Sequence, residues 1–193
     1  TAPVLTVPAT YLVNADATNC SADITPSAAG QATANDNCDS DVAISYSDSQ
    51  WTYTCTGNTE GTRTLTRTWT ATDDCDNTMS SDQTITVTDV TAPVLTVPAT
   101  YLVNADATDC SADITPSAAG QATANDNCDS NVTITHSDSQ WSYSCTGDDN
   151  DTEGTRTLTR TWTATDDCGN TTLLTQTITV TDVTAPVLTI PAN

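Results

Sequence analysis

Eight cysteines are the residues of this chain whose chemistry can be interpreted first. They form no Cys-x-x-Cys pair and the chain has a single histidine, so their spacing does not predict a structural zinc site. An even number of cysteines in an acidic chain without lysine indicates disulfides made in an oxidising compartment. We therefore predict a secreted or cell-surface protein. The eight positions are Cys20, Cys38, Cys55, Cys75, Cys110, Cys128, Cys145 and Cys168.

Aspartates cluster beside four of these cysteines, in the stretches NDNCDS and TDDC that each occur twice. Crowded carboxylates repel one another, and a hard cation such as Ca²⁺ would relieve the repulsion. The alternative is a set of solvated acidic loops that keep the protein soluble, since no EF-hand spacing is present. The candidate Ca²⁺ ligands are Asp36, Asp39, Asp73, Asp74 and Asp89, with Asp126, Asp129, Asp166, Asp167 and Asp182 as their counterparts.

Catalytic chemistry has little support in the sequence. His136 is the only histidine, and its counterpart is Tyr46, so an acid–base site built on it cannot recur. There is no Gly-rich phosphate loop, and no Ser or Cys has an adjacent base. We predict that the protein is not an enzyme.

The charge of the chain excludes further functions. Its 25 acidic and 4 basic residues give a formal charge of −21, and such a polyanion cannot neutralise the phosphates of nucleic acids or anionic membranes. No apolar run approaches the length of a membrane span, so we expect no membrane insertion. With 36% hydrophobic residues and no Phe, the core must be small and supported by cross-links.

A long repeat organises the chain. Copies of the string TAPVLT begin at Thr1, Thr91 and Thr184, and all four cysteines of the first copy recur in register in the second. Self-similarity at this period predicts small tandem domains. We place the first repeat at residues 1–90, the second repeat at 91–183 and the first strand of a third at 184–193, as a window on a longer array.

Each repeat alternates apolar and polar residues with a period of two. Leu65, Trp69 and Ala71 share one face against a row of threonines, and Ile85 and Val87 alternate with threonines in the same way. Such strands, separated by Gly, Asn, Asp and Ser clusters, predict an all-β fold of immunoglobulin-like β-sandwich domains. Two arginines, Arg63 and Arg67, fall on the apolar face, where a guanidinium needs a carboxylate or an aromatic ring.

The connection between repeats contains no flexible spacer. The strand QTITVTDV runs directly into TAPVLTVP. Because so short a connection permits little bending, we expect the tandem domains to stack end to end.

The runs DNCDSDVAISYSD, RTWTATDDC and QTITVTDVTAPV resemble HYR and related immunoglobulin-like tandem repeats. Close versions of these repeats belong to giant secreted surface adhesins and appendage (hook or fibre) proteins of gliding Bacteroidota-type bacteria, which use the type IX secretion route. The resemblance covers both repeats almost completely. It implies a seven-stranded sandwich, an extracellular location on a cell-surface appendage, and a role in adhesion or appendage building. Cys55 departs from the HYR pattern, which is shorter there and lacks a cysteine.

Four cysteines per repeat allow three disulfide connectivities, and spacing does not choose among them. We favour pairs within each repeat, because the acidic turns around Cys38 and Cys75 should meet at one end of a sandwich. The favoured pairs are Cys38 with Cys75, Cys20 with Cys55, Cys128 with Cys168, and Cys110 with Cys145. On this prediction, oxidation closes every repeat on itself.

Together these features predict a structural function. The array would form a long, disulfide-stabilised extracellular fibre or adhesin that spaces and presents an adhesive tip. Its partners would be neighbouring repeats of the same chain, identical chains in a filament, and a target cell or surface reached through a tip outside this sequence. The alternative is a protein- or glycan-recognition module that binds through the variable positions, which are 46 and 136, 56–61, and 79–82 with 172–175.

Overall fold

The computed structural model describes residues 1–55, 61–144 and 154–190. Cys145, most of the variable stretch 56–61, and the last three residues of the predicted third-repeat strand lie outside the described residues. Nowhere in the described part does a helix have the length and apolar character needed to cross a membrane.

Strands make up nearly all of the regular secondary structure of the first repeat. Its elements are β1 (Val4–Thr6), β2 (Tyr11–Asn14), α1 (Pro26–Ala29), β3 (Thr33–Asn35), β4 (Ala43–Asp48), β5 (Thr52–Tyr53), β6 (Arg63–Thr72) and β7 (Thr78–Thr88). The second repeat has the same order of elements. They are β8 (Val94–Thr96), β9 (Tyr101–Asn104), α2 (Pro116–Ala119), β10 (Thr123–Asn125), β11 (Thr133–Asp138), β12 (Ser142–Tyr143), β13 (Arg156–Thr165) and β14 (Thr171–Thr181).

The chain divides into two compact units. The first unit comprises Thr1–Pro93 together with two turns of the second repeat, Asp126–Val132 and Thr165–Asn170. The second unit comprises Val94–Asn125, Thr133–Ala164 and the residues from Thr171 onwards. The first unit therefore contains more than the first repeat of the sequence.

Two sheets form the sandwich of the first unit. The larger sheet has the strand order β2-β7-β6-β4, and β5 pairs with the other end of the long strand β6. The smaller sheet pairs β1 with β3, and β1 lies close to β6 and β7. All pairs are antiparallel except β2 with β7, which run parallel from Tyr11 beside Ile85 to Asn14 beside Thr88. The predicted immunoglobulin-like all-β sandwich is confirmed.

The second unit repeats this topology. Its larger sheet has the order β9-β14-β13-β11, with β12 also paired to β13, and its smaller sheet pairs β8 with β10. β9 and β14 are parallel, with Tyr101 beside Ile178. The core places Ala119, Leu158 and Ile178 together, as the first unit places Ala29, Leu65 and Ile85.

The period-two pattern predicted which side chains enter the core. Along β6, the apolar residues Leu65, Trp69 and Ala71 are buried, and the intervening threonines are half-buried. Ile85 and Val87 are fully buried along β7. Alternation of this kind arises because successive side chains of a strand point to opposite faces of the sheet.

Arg67 lies in the apolar row of β6 and is 2% exposed. Its Nε and Nη2 donate to the two carboxylate oxygens of Asp48 at 2.7 and 2.8 Å, and Nη1 donates to the carbonyl of Ile24 at 2.8 Å. The guanidinium also lies 4.3 Å from the ring centroid of Tyr46. The carboxylate and the aromatic ring that the sequence required are both present. The hydrogen bonds that Arg67 donates to Asp48 are the main cause that raises the pKa of Arg67.

The side-chain amide of Gln83 makes buried hydrogen bonds to three separate segments, which the sequence did not indicate. Its Nε2 donates to the carbonyls of Ala9 and Ala29 at 3.0 and 2.7 Å, and its Oε1 accepts from the indole of Trp69 at 3.1 Å. Gln176 makes the equivalent bonds in the second unit. A buried amide with all these partners satisfied adds specificity to a small core.

A single helical turn in each repeat was also not predicted. Four residues are too few to show a helical period, but the local signals are present in the first repeat. Pro26 begins the turn, and Gly30 ends it with φ +94°. A Cβ at Gly30 would lie 2.8 Å from Cβ of Pro8, so glycine is required there for space as well as for conformation.

Candidate functional site

The first compact unit carries a site built from two disulfides and a group of carboxylates. Cys20 is bonded to Cys128, with their Cα atoms 5.0 Å apart, and Cys55 is bonded to Cys168, with Cα atoms 4.7 Å apart. Both separations are ordinary for disulfides. Each bond joins a cysteine of the first repeat to a cysteine of the second.

This connectivity corrects the favoured pairs, in which Cys20 joined Cys55 and Cys128 joined Cys168. The physical reason lies in the two turns of the second repeat that belong to the first unit, because they bring Cys128 and Cys168 within bonding distance. Cys38 and Cys75 are both exposed free thiols rather than a bonded pair. Cys110 is also free, and its favoured partner Cys145 lies outside the described residues.

Local hydrogen bonds hold Cys20 in position for its bond. Its φ is +57°, in the left-handed region that residues with a side chain rarely adopt. Its N–H donates to the carbonyl of Asp16 at 3.0 Å, and its own carbonyl accepts from Nη2 of Arg63 at 2.6 Å. The guanidinium of Arg63 lies 5.2 Å from the ring centroid of Trp51. Arg63 thus orients a disulfide, a role that its place in the apolar row did not reveal.

Gly61 permits the close approach of the second disulfide. Its φ is +80°, and a Cβ there would lie 2.7 Å from Sγ of Cys168 and 3.2 Å from Sγ of Cys55. Any side chain at this position would therefore press on both sulfur atoms.

Three carboxylates converge beside the disulfides. One oxygen from each of Asp89, Asp126 and Asp166 lies within 4.8 Å of the others. Asp89 follows strand β7, whereas Asp126 and Asp166 come from the two turns of the second repeat. Asp89 is 4% exposed and Asp166 is 5% exposed, and Asp126 is half-buried.

The hydrogen bonds of these carboxylates are incomplete. Asp166 is satisfied, since its two oxygens accept from the backbone and side-chain nitrogens of Asn170 at 2.8 Å each. Asp89 Oδ1 accepts from the N–H of Thr91 at 3.1 Å, and Asp126 Oδ1 accepts from that of Cys128 at 2.8 Å. The second oxygen of each, Oδ2, is buried and has no partner among the described residues. Two buried anionic oxygens without a donor are costly.

The pKa values of two of these aspartates, Asp89 and Asp126, are raised. Burial is the main cause that raises the pKa of Asp89, and the charges of Asp126 and Asp166 add to it. Burial likewise raises the pKa of Asp126 first, and the charge of Asp166 raises it further. These are the expected consequences of crowding carboxylates away from water without a counterion.

The donor set fits a hard divalent cation. All three groups offer oxygen atoms, and Oδ2 of Asp89 and Oδ2 of Asp126 have no partner among the described residues. Ca²⁺ binds carboxylate, carbonyl and water oxygens. If Ca²⁺ binds here, Asp89, Asp126 and Asp166 would hold it, and its charge would offset the repulsion among them.

The other predicted ligands lie elsewhere or are used in the turns. Asp129 accepts from the N–H groups of Asn131 and Asp167 at 2.7 and 2.9 Å, which fastens the two turns of the second repeat to each other. Asp39 does the same in the first repeat, accepting from Asp41 and Asp74 at 2.8 and 2.9 Å. Within the described ranges, the structure does not bring Asp36, Asp39, Asp73, Asp74 or Asp182 into the converging group.

One variable position has a packing role. Tyr46 on β4 lies with its ring centroid 5.2 Å from that of Trp69, and its counterpart His136 lies 5.0 Å from Trp162. The two aromatic pairs are similarly tilted, at 52° and 46°. The change from Tyr46 to His136 therefore preserves an aromatic contact over the core tryptophan.

Comparison with solved structures finds cadherin ectodomains. The chain is similar to Drosophila N-cadherin EC1-4 with 16% identity and a TM-score of 0.42, over 93% of this chain and 49% of that one. It is similar to the protocadherin GammaB4 extracellular domain with 15% identity and a TM-score of 0.41, over 94% of this chain and 34% of that one. Mouse cadherin-23 EC22-24 gives 14% identity and a TM-score of 0.36, over 94% of this chain and 67% of that one.

The chain spans about half of the first of these structures and about a third of the second. At these identities and TM-scores, no residue's role follows from the similarity. No protein-family model matches the chain, and no curated protein matches it.

Proposed function

We propose that the chain is a structural segment of a long extracellular fibre or adhesin, with no catalytic role, in which successive repeats are fastened to one another. The observation that carries this proposal is the pair of disulfides between cysteines of different repeats. Bonds of this kind are made and kept in oxidising surroundings, which supports an extracellular location. A segment with this role would space and present an adhesive tip outside the present sequence, as in the appendage proteins that its motifs resemble.

The cross-links favour a structural role over recognition because of where they lie. They connect Cys20 and Cys55 of one repeat to two turns of the next, so they restrict how neighbouring repeats can separate. A recognition module needs only a stable fold for each domain. A fibre gains from covalent connections that recur at each repeat, and the net negative charge keeps such fibres from clumping.

We infer that Ca²⁺ is the ion held by Asp89, Asp126 and Asp166. The buried Oδ2 atoms of Asp89 and Asp126 support this inference, because neither has a donor within the described part of the chain and a cation would supply the missing partner. The ion would add an ionic fastening beside the two covalent ones.

Small-angle scattering of the non-reduced two-repeat protein tests the structural proposal. We expect one narrow distribution of interatomic distances. The double variant Cys20→Ser with Cys168→Ser breaks both bonds and should broaden it. Cys38→Ser with Cys75→Ser is the matched control, because it changes two free thiols and should leave the distribution unchanged. A broad distribution in the unmodified protein would contradict the proposal.

Calorimetric titration with Ca²⁺ tests the ion separately. Asp89→Asn should abolish binding, because it removes a charged ligand from the converging group. Asp182→Asn is the matched control, since Asp182 makes the same turn bond, to the N–H of Thr184 at 2.8 Å, and lies outside that group. Equal loss of binding in both variants, or no binding by the unmodified protein, would refute the inference.

A further inference from the structure

The thiols of Cys38 and Cys110 are free, although the residues at the equivalent positions of the other repeat, Cys128 and Cys20, are bonded to each other. We propose that Cys38 and Cys110 are the two halves of an interface for another copy of this repeat. In that interface Cys110 of one copy bonds to Cys38 of the next, in the register of the Cys20–Cys128 bond.

The Cys110 half has the shape of a bonded half before any bond is made. Its φ is +56°, against +57° at Cys20. Its N–H donates to the carbonyl of Asp106 at 3.1 Å, and its carbonyl accepts from Nη2 of Arg156 at 2.7 Å. Because a positive φ is unfavourable for a residue with a side chain, this conformation is held by its hydrogen bonds and not by a disulfide.

The Cys38 half is equally prepared. The N–H of Cys38 donates to Asp36 Oδ1 at 2.8 Å, as the N–H of Cys128 does to Asp126 Oδ1. A second bond, from the N–H of Asp74 to Asp39 Oδ2 at 2.9 Å, ties this turn to the next one. Cys38 differs from its bonded equivalent in burial, because Cys128 is 3% exposed whereas Cys38 is exposed. The turn around Cys38 in the first repeat is therefore exposed, whereas the equivalent turn around Cys128 in the second repeat is buried.

The equivalents of the three converging carboxylates are likewise divided between the Cys38 half and the Cys110 half. Asp36 and Asp73 hold the positions of Asp126 and Asp166 in the turns, and Asp182 follows β14 as Asp89 follows β7. Joining Cys110 of one copy to Cys38 of the next would bring the equivalent three carboxylates together. Such an interface uses different surfaces on its two sides, so it joins copies head to tail and does not close into a symmetric pair.

The bond requires an oxidant, for which a low-molecular-weight disulfide such as oxidised glutathione suffices. The thiolate of one cysteine attacks the glutathione disulfide and releases one reduced glutathione. The thiolate of the second cysteine then attacks the resulting mixed disulfide and releases the other. Two cysteine thiols are oxidised to one disulfide, and one glutathione disulfide is reduced to two thiols.

This inference deepens the proposed fibre role, since it names the partner as the repeat itself. Its test uses the full two-repeat chain with Cys75→Ser and Cys145→Ser, so that Cys38 and Cys110 are the remaining thiols outside the two internal bonds. Incubation with oxidised glutathione should give a ladder of covalent oligomers on non-reducing gels. The same chain unfolded in urea should give no ladder, because the turns around Cys38 and Cys110 are then no longer folded.

Two further variants in that background decide the direction of pairing. Cys38→Ser alone and Cys110→Ser alone should each stay monomeric, because each retains one half of the interface. Their equimolar mixture should give covalent dimers and nothing longer. Dimers from Cys110→Ser alone would show Cys38 bonded to itself and would overturn the proposal, as would the absence of dimers from the mixture.

Mass mapping of the internal bonds separates this inference from the proposed function. If Cys20 is bonded to Cys128 in every variant and no oligomer forms, the interface proposal fails and the structural role stands. If Cys20 is not bonded to Cys128 in the native chain, the observation behind the structural role itself fails.

Discussion

The stretch NDNCDS occupies residues 35–40 and again residues 125–130, yet the two copies have different surroundings. In the first copy Cys38 is exposed and has a free thiol. In the second copy Cys128 is 3% exposed and is bonded to Cys20. Identical residues therefore differ in burial and in oxidation state, and the difference depends on the residues that pack against each copy.

The internal structure of the two copies is nevertheless the same. Asp36 and Asp126 each accept from the cysteine N–H at 2.8 Å, and Asp39 and Asp129 each fasten the neighbouring turn at 2.9 Å. Short-range hydrogen bonds fix the shape of each turn, because aspartate side chains bond to backbone two residues further on. Burial and oxidation are properties of the assembled unit.

The largest effect on stability should come from breaking the two disulfides that hold turns of the second repeat in the first compact unit. Cys20→Ser with Cys168→Ser breaks two bonds that span 108 and 113 residues. The chain-entropy model gives about 5 kcal/mol for each bond of this span. We expect the free energy of unfolding, measured by urea denaturation without reductant, to fall by several kcal/mol.

Cys38→Ser with Cys75→Ser is the comparison for that measurement. It should change the free energy of unfolding by less than about 0.5 kcal/mol, because exposed positions contribute little. Similar losses in the two double variants would mean that the two copies of the turn are equivalent after all.

The two buried arginines, Arg67 and Arg160, allow the cores of the two repeats to be compared. Arg67→Met should destabilise by about 3 kcal/mol, because it leaves the carboxylate of Asp48 without its buried partner. Arg160→Met should cost about 1 kcal/mol less. Nη1 of Arg160 has no hydrogen-bond partner among the described residues, whereas Nη1 of Arg67 donates to the carbonyl of Ile24. Urea denaturation of both variants gives the difference, and a larger loss at Arg160 would contradict it.

Gly61 and Gly169 provide a smaller contrast. Both have positive φ, +80° and +88°, so an alanine costs about 1 kcal/mol of backbone strain at either position. Gly61→Ala should cost more than Gly169→Ala, because its Cβ would lie 2.7 Å from Sγ of Cys168, whereas a Cβ at Gly169 has open space within 4 Å. Thermal unfolding of both variants, with and without reductant, is the measurement. Reduction should make the two costs similar, and a difference that persists after reduction would exclude the sulfur contact as its cause.

The smallest effect concerns pH. The pKa of Asp89 is raised in the folded protein, so the folded state binds its proton more tightly than the unfolded state does. The stabilisation from this group is present below its unfolded pKa and is lost as the pH rises through its folded pKa. In a metal chelator, Asp89→Asn should therefore increase the melting temperature at neutral pH and have less effect in acid.

Asp182→Asn supplies the reference for this pH profile, because Asp182 lies outside the converging carboxylates. We expect its melting temperature to follow that of the unmodified protein at each pH. A loss of stability in Asp89→Asn at neutral pH, with chelator present, would show that the Asp89 carboxylate is well satisfied without a cation.

The sequence predicted the elements of this fold better than their connections. The alternation around Leu65 and Trp69 indicated both the strand and its buried face, and the phase of Arg67 correctly indicated a buried guanidinium with a carboxylate and a ring beside it. These predictions succeeded because they depend on residues a few positions apart along one strand.

The failures concern contacts between distant residues. Gln83 bonds to carbonyls 74 and 54 residues away, and nothing in a row of threonines distinguishes a buried amide from a solvated one. The predicted disulfide partners are wrong because the prediction closes each repeat on itself, whereas the compact unit includes turns of the following repeat. Of the ten candidate carboxylates, three converge, and spacing alone could not identify which repeat each would come from.

The parallel pairing of β2 with β7 has a mechanical consequence. Strand β2 lies near the entry of the first repeat and β7 leads to its exit, and they lie side by side from Tyr11 and Ile85 to Asn14 and Thr88. Pulling the two ends of the repeat apart would slide these strands along each other, so the force is shared by all their hydrogen bonds at once. A hairpin pulled open from its ends would instead break its bonds one pair after another. Strands β9 and β14 give the second repeat the same shear geometry.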